Sequence, residues 1–265
     1  MTNDNILEQI LSAKADEIER RRSDRPLDEL KAIVSDMPPA RDFAGELRTR
    51  AAASKDAVIA EIKRASPSAG IIRQDFDPEA IAKSYEAGGA TCLSVLTDEG
   101  FFGGQNAFLV EARKVTRLPV LRKEFIIDPW QVVETRAIGS DALLLIVAAL
   151  TDDQLAELAE LGKELGLAVL VEVHDEKEME RALKVPGDMV GINNRDLHRF
   201  VTDLDTTLRL APMVPKDRLV ISESGIHSRE DVEKLRIGGI GAFLIGESLM
   251  RQTDPGEALG RLIAG

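Results

Sequence analysis

Apolar and polar positions divide most of the chain into short and long segments that alternate regularly. The short segments are runs rich in Val, Ile, Leu and Ala, typical of strands buried on both faces. The long segments carry apolar residues every three or four positions, typical of amphipathic helices. We predict eight strands, at 57–63, 91–97, 120–123, 142–147, 168–173, 189–193, 219–223 and 242–246. The predicted helices lie between them at 77–87, 105–116, 129–138, 151–165, 176–183, 205–210 and 229–235, with a last one at 256–263.

Start and stop signals accompany these helices. Asp77 and Asp128 each precede a proline, which places a capping carboxylate before a proline in the first helical position. Gly139 and Gly166 follow predicted helices, where glycine commonly ends the last turn.

The repeated strand and helix units predict a single (β/α)8 TIM barrel. Parallel strands joined by helices need cover on both faces, and eight such units are enough to close a barrel. An open doubly wound sheet is the alternative fold. The Gly-x-Gly-x-x-Gly turn expected after its first strand is missing, because the chain reads KRASPS at 63–68. Dinucleotide binding therefore has little support.

The first 56 residues predict a helical extension in front of the barrel. Residues 6–22 have the spacing of one amphipathic helix, and 43–53 that of a shorter one. The stretch between them, with Pro26, Pro38 and Pro39, is predicted to be irregular. We therefore expect an N-terminal extension at 1–56 and a barrel at 57–265, as one structural domain overall.

Composition and charge exclude several classes of partner. The 265 residues include 34 Lys and Arg against 46 Asp and Glu, for a net charge of −12. Without a basic patch interleaved with aromatic residues, nucleic acid is not an expected partner. The chain does not start with a basic segment followed by an apolar one, and its apolar runs are far shorter than the roughly 20 residues that cross a bilayer. We expect a cytoplasmic protein without membrane contact.

The single cysteine and the three histidines argue against disulfides and metal sites. Cys92 lies in an apolar run, which predicts a buried, inert thiol. The histidines form no HxxxH or HExxH pair, so a zinc or iron site is not expected.

Charged and amide side chains end several predicted strands, where barrel enzymes carry their active sites. The two-residue period of a strand sends Glu61 and Lys63 to the same face. Further polar strand ends are Lys123, Glu172, Asn193 and Glu223. Burying opposite charges is only weakly justified by stability, so function explains the cluster better. A lysine tuned by a second lysine and by carboxylates predicts general acid–base chemistry, with a Schiff-base lysine as the alternative.

Glycines follow the last two predicted strands. Gly225 and Gly246 stand where backbone amides can approach a ligand closely. Barrel enzymes commonly hold phosphate in the loops after strands 7 and 8, so these loops are a predicted phosphate site.

The segment AEIKRASPS at 60–68 resembles the signature of the indole-3-glycerol phosphate synthase family of tryptophan biosynthesis. Further matching segments are SVLTD at 94–98, LRKEFI at 121–126, VEVH at 171–174, INNRDL at 192–197, SESGI at 222–226 and FLIG at 243–246, so the resemblance covers essentially the whole chain. It implies a barrel enzyme that converts 1-(2-carboxyphenylamino)-1-deoxyribulose 5-phosphate into indole-3-glycerol phosphate, carbon dioxide and water. It also implies that no metal or organic cofactor takes part.

The resemblance implies catalytic roles for charged residues at the strand ends. Lys123 matches the general acid that protonates the ribulose carbonyl oxygen. Lys63 matches the lysine that holds the substrate carboxylate, together with Ser66, and donates a proton in a later step. Glu172 matches the second acid–base group, which assists the loss of water.

Binding roles follow from the same resemblance. Glu61 and Asn193 match residues that hold sugar hydroxyls and orient the lysines, and Glu223 matches one that stabilises a neighbouring cation. The residues expected around the anthranilate ring are Pro67, Phe102, Phe125, Leu144 and Leu197. Those expected near the phosphate are Arg195 and Ser224, with backbone amides from Gly225, Gly246 and Glu247.

Two other functions stay open at this point. One is another phosphate-binding barrel enzyme, such as phosphoribosylanthranilate isomerase, although its typical Cys/Asp or Asp/Asp pair is missing from these strand ends. The other is a barrel that binds ligands without catalysis, which would be expected to have lost the acid–base set. In each case the expected partner is a phosphorylated small molecule, and we expect a monomer.

Overall fold

Eight parallel strands close into a barrel in the computed structural model, which describes residues 6–196 and 201–264. The strands are β1 (Ala57–Ile62), β2 (Cys92–Leu96), β3 (Val120–Lys123), β4 (Ala142–Ile146), β5 (Ala168–Val173), β6 (Met189–Asn193), β7 (Leu219–Glu223) and β8 (Ala242–Ile245). Each strand pairs with the next one in the chain, and β8 pairs with β1 through the register Ala57 to Ala242. The barrel prediction is confirmed, and the open sheet is excluded because this sheet has no edge.

Helices surround the barrel and precede its first strand. They are α1 (Ile6–Asp24), α2 (Leu27–Ser35), α3 (Phe43–Ala52), α4 (Pro78–Ala87), α5 (Glu99–Phe102), α6 (Asn106–Val115), α7 (Pro129–Ala137), α8 (Asp152–Glu164), α9 (Glu176–Ala182), α10 (Asp205–Leu210), α11 (Arg229–Ile237), α12 (Glu247–Met250) and α13 (Pro255–Ile263). The predicted caps form, since Asp77 accepts from the Ala80 amide and Asp128 from the Trp130 amide. None of the described helices is long and apolar enough to cross a membrane.

The structure corrects the prediction in several places. The stretch after Pro26 is the helix α2 rather than irregular chain, because proline is compatible with the position just before a first helical turn. Short helices α5 and α12, and a two-stranded ribbon of Ala65–Ser66 and Gly70–Ile71, were not predicted. Strand β1 ends at Ile62, so Lys63 lies just beyond it.

The barrel interior is apolar in its lower layers. Strand positions that alternate with a period of two point inward, and the packed cluster includes Ile59, Leu121, Leu170 and Ile221, each fully buried. Cys92 belongs to this cluster, which confirms its predicted burial, and burial raises the pKa of its thiol well above the ordinary value. The polar strand ends lie one layer above this core.

The N-terminal helices run from one end of the barrel to the other. Helix α3 packs Phe43 and Leu47 against the apolar interior, close to the N-terminal ends of the strands. Leu30 of α2 packs against Trp130 of α7 on the outside. At the other end, where the strands have their C-terminal ends, the barrel contains a cavity, and Leu7 of α1 lines it. The extension therefore contacts the mouth of the barrel directly.

Candidate active site

A cavity of about 180 Å³ opens at the C-terminal ends of the strands. Alternate residues of each strand point into the barrel, and this brings polar side chains from five different strands to the cavity. These are Glu61 of β1, Lys123 of β3, Glu172 of β5, Asn193 of β6 and Glu223 of β7. Side chains this far apart in sequence meet here because parallel barrel strands all end at the same rim.

Lys123 lies at the centre of this group. Its Nζ is 2.7 Å from Glu172 Oε2 and 2.8 Å from Glu223 Oε2, so one ammonium bridges two carboxylates. Burial opposes a charge on Lys123, but the two carboxylates outweigh it and raise the pKa of Lys123. Lys123 is therefore a protonated lysine at neutral pH.

The two carboxylates beside Lys123 have different acidities. Burial opposes ionisation of Glu172, but Lys123 outweighs it, and the pKa of Glu172 falls to about 2. For Glu223, burial and the charge of Glu172 outweigh Lys123 and raise the pKa to about 7. Before substrate binds, Glu172 is the ionised member of the pair at neutral pH, and Glu223 changes charge near neutrality.

Glycine makes room for two of these carboxylates. A side-chain Cβ at Gly191 would overlap Glu223 Oε1, and one at Gly246 would overlap Glu61 Oε1. Glu223 Oε1 is buried without a hydrogen-bond partner among the described residues. The position of Glu223 therefore depends on the bare backbone of β6 beside it.

A second lysine is paired on the β1 side of the cavity. Lys63 Nζ lies 2.7 Å from Glu61 Oε1, and both residues line the cavity. Asn193 donates to Glu172 Oε1 at 3.0 Å, and its own side-chain oxygen accepts from the Arg195 amide at 3.1 Å. Each catalytic candidate is thus held by another polar residue of the same rim.

One wall of the cavity is apolar. The rings of Phe102 and Phe125 lie with centroids 6.0 Å apart, and Leu144 lines the cavity from the top of the apolar interior. Leu96 and Ile146, which were not predicted as site residues, also line it. A flat aromatic group can be enclosed on this side.

The opposite wall combines a cation with loops that contain glycine. Arg195 Nη2 is 3.7 Å from Glu247 Oε2, and Ser224, Gly225 and Gly246 line the same part of the cavity. Ser224 and Gly225 have φ of 65° and 81°, a left-handed conformation that favours glycine at the second position.

The remaining predicted site residues lie elsewhere or outside the described chain. Ser66 and Pro67 lie in and beside the short ribbon after β1, and neither lines the cavity. Leu197 lies outside the described residues. Sequence reasoning did not include Leu7 of α1 or His174 after β5, although the period of two places His174 on the same side as Glu172.

The sequence comparisons agree with this geometry. The profile described as Indole-3-glycerol phosphate synthase matches residues 7–262. The chain belongs to this family. Proteins named indole-3-glycerol phosphate synthase from two strains of Acidithiobacillus ferrooxidans are each 55% identical over 257 residues, covering 97% of this chain and 98% of theirs. Membership makes the chain an enzyme of tryptophan biosynthesis.

Solved structures of lower identity share the fold. Thiamine phosphate pyrophosphorylase from Pyrococcus furiosus superposes with a TM-score of 0.60 at 15% identity, covering 83% of this chain and 96% of that one. A chain of the tryptophan synthase a2b2 complex from Pyrococcus furiosus gives 0.55 at 16% identity, with 78% and 95% covered. These likenesses concern the barrel alone, because one barrel fold supports many unrelated reactions.

Proposed function

We propose that the chain is a carbon–carbon lyase of the carboxy-lyase class that closes the indole ring of indole-3-glycerol phosphate. The substrate is 1-(2-carboxyphenylamino)-1-deoxyribulose 5-phosphate, and the other products are carbon dioxide and water. Family membership supports this assignment. The observation that carries it is Lys123, a protonated lysine held between two carboxylates at the floor of a cavity that has an aromatic wall and, facing it, Arg195 beside loops that contain glycine.

Ring closure requires a proton at the substrate carbonyl. The ring carbon that bears the carboxylate attacks the ribulose carbonyl carbon, and the carbonyl oxygen takes a proton from Lys123 Nζ to become a hydroxyl. Carbon dioxide then leaves, and the electron pair of the broken bond restores the aromatic ring. Lys123 is suited to the first step because its raised pKa keeps the proton available at neutral pH.

Dehydration completes the indole. The hydroxyl leaves as water with a proton from Lys63, and Glu172 accepts the proton from the carbon next to nitrogen. The low pKa of Glu172 keeps it ionised and able to accept. When Lys123 has given up its proton, its charge no longer stabilises the Glu172 carboxylate, which makes Glu172 a stronger base at this later step.

Substrate binding follows from the two walls of the cavity. The rings of Phe102 and Phe125 enclose the anthranilate group, and Lys63 holds its carboxylate. The phosphate lies towards Arg195 and the loops that contain Gly225 and Gly246. Ser66 and Leu197 stay predictions, as does Pro67.

Turnover of the purified protein tests the proposal. Incubation with the carboxyphenylamino substrate is expected to give the fluorescence of an indole product. Lys123→Met should lower kcat about 10²- to 10⁴-fold, since it removes a group that acts in the transition state. Lys163→Met is the matched control, because Lys163 pairs with Asp188 outside the cavity at 2.8 Å. A folded parent protein that forms no indole-3-glycerol phosphate contradicts the proposal, and so does a Lys123→Met variant that keeps the full rate.

A further inference from the structure

A partly buried histidine lies directly behind Glu172, outside the cavity lining. The Nε2 atom of His174 is 3.5 Å from Glu172 Oε1, and the side chain is 12% exposed. Glu172 Oε2 faces Lys123 at 2.7 Å, and Oε1, which accepts from Asn193 at 3.0 Å, has His174 beside it. The proposed reaction leaves this histidine unused.

Glu178 fixes the orientation of the imidazole. This carboxylate, in the first turn of α9, accepts from the His174 backbone amide at 2.9 Å and lies 3.0 Å from Nδ1. A carboxylate at that position requires a hydrogen on Nδ1, so the neutral ring presents the lone pair of Nε2 to Glu172. The arrangement runs Glu178, His174, Glu172 from the α9 side into the cavity.

The 3.5 Å separation of His174 Nε2 and Glu172 Oε1 is what two hydrogen-bond acceptors would give. Nε2 is buried and has no hydrogen-bond partner among the described residues. A neutral imidazole and an ionised carboxylate both offer lone pairs here, and two acceptors cannot hydrogen-bond. One added proton, on either atom, converts the contact into a charge-assisted hydrogen bond.

We propose that His174 is a positioning residue that shares the proton Glu172 takes from the substrate, so that the Glu172–His174 pair is the base of the dehydration step. This inference rests on the proposed function. The proton leaves the carbon next to nitrogen, reaches Glu172 Oε1 and is shared with His174 Nε2, and it is lost to solvent after the product has formed. His174 contacts no substrate atom in this scheme and acts only through Glu172.

The charges around Glu172 and His174 favour transfer of the proton from Glu172 to His174. As long as Lys123 is protonated, it makes Glu172 alone a weak base, with its pKa at about 2. Burial opposes a charge on His174, but the hydrogen bond to Glu178 and the charge of Glu172 outweigh it and raise the pKa of His174. Glu223 on β7 also favours the imidazolium. His174 is therefore the stronger proton acceptor of the two.

The variant His174→Asn tests the role with little change elsewhere. The Asn amide can still donate to Glu178 in place of Nδ1, whereas it offers nothing in place of Nε2. We expect the single-turnover rate to fall about tenfold or more, with KM changed less than about twofold, because substrate contacts are retained. An unchanged rate in a folded variant overturns the proposal.

The pH dependence distinguishes this role from a structural one. When His174 is protonated before substrate binds, the Glu172–His174 pair cannot accept the proton from the substrate. Activity of the parent protein is therefore expected to fall as pH drops through the raised pKa of His174. In His174→Asn this acid limb should move to lower pH, towards that of Glu172. An acid limb that stays in place assigns it to Glu223, whose pKa is about 7, and contradicts the proposal.

Nitrogen NMR of the unmodified protein gives a readout independent of activity. The chain has three histidines, so ¹⁵N-imidazole labelling gives a spectrum that single variants assign. At pH 9 we expect His174 as the Nδ1–H tautomer, and an Nε2–H tautomer overturns the proposal. A parent protein that forms no indole-3-glycerol phosphate contradicts the proposed function. An active parent with the wrong tautomer defeats only this inference.

Discussion

Among the carboxylates at the floor of the cavity, Glu223 is the one whose ionisation its surroundings oppose most strongly. Its side chain is 2% exposed, Lys123 is its ion-pair partner, and Oε1 has no hydrogen-bond partner among the described residues. Its pKa of about 7 expresses this cost, since the ordinary value is 4.5. Glu223 thus helps to position Lys123 at a cost to the stability of the protein.

Glu223→Gln is expected to stabilise the protein in a pH-dependent way. The folded pKa lies above the unfolded one, so folding opposes ionisation, and the cost is absent below pH 4.5 and complete above pH 7. The advantage of the variant should therefore grow by about 3 kcal/mol between pH 4 and pH 8. Urea unfolding at the two pH values measures it. A difference between variant and parent that does not change with pH contradicts this account.

Gly191→Ala is expected to damage the site from the neighbouring strand. The new methyl group would overlap Glu223 Oε1 and force the carboxylate away from Lys123. We expect a loss of about 1–3 kcal/mol in the free energy of unfolding, together with lower kcat. Gly100→Ala is the control, because its added Cβ would meet no atom within 4 Å apart from its chain neighbours and the backbone of its own helix. Equal stability and turnover for both variants would show that the site tolerates the methyl group.

At this scale the sequence predicts which residues meet, but not how they pair. The period of two and the ends of parallel strands were enough to bring Glu61, Lys123 and Glu172 to one rim. The unequal acidities of Glu172 and Glu223 could not be predicted, because they depend on burial and on distances of a few ångströms. His174 could have been found from the same period.

Among the helices, α1 is attached to the barrel through a buried ion cluster. Lys14 is 2% exposed, and its Nζ lies 3.0 Å from both Asp98 Oδ2 and Glu124 Oε1. Asp98 follows β2 by two residues, and Glu124 is the neighbour of Lys123. The N-terminal helix is thereby fixed to the loops beside the catalytic lysine, with Leu7 at the cavity.

Lys14→Met is expected to cost about 3–5 kcal/mol in the free energy of unfolding, because it removes the cation shared by the buried Asp98 and Glu124 and leaves Glu124 only Arg122, at 3.9 Å. KM should also rise, since α1 contributes to the cavity wall. Lys31→Met is the control, as Lys31 is exposed on α2 and substitutions there should change stability by less than about 0.5 kcal/mol. If denaturant unfolding gives the same stability for both variants, the ion cluster does not anchor α1.

The long periodic elements were predictable from the sequence, and the short ones were not. Strands β3, β5, β6 and β7 have the predicted bounds, because runs of buried β-branched and Leu residues end sharply at polar positions. Helix α2 was missed because Pro26 suggested irregular chain. The ribbon at Ala65–Ser66 and Gly70–Ile71 has too few residues to show any period.

For the molecule as a whole, net charge and binding chemistry are separate. The chain carries −12, yet its proposed substrate is an anion with a carboxylate and a phosphate. Lys63, Lys123 and Arg195 line the cavity, but each lies beside a carboxylate of the same lining. The anionic groups of the substrate would therefore be bound by single cations and by loop amides rather than by a positive field of the whole cavity. Net charge describes solubility here. The expected monomer stays a prediction.

The fate of the substrate carboxylate decides whether the protein closes the indole ring with decarboxylation. Substrate labelled with ¹³C in that carboxylate is incubated with the protein, and the gas and the product are analysed by mass spectrometry. We expect the label to leave as carbon dioxide in equal amount to the indole-3-glycerol phosphate formed, which itself carries no label. A product that retains the label would contradict it, because the ring then has not closed with decarboxylation.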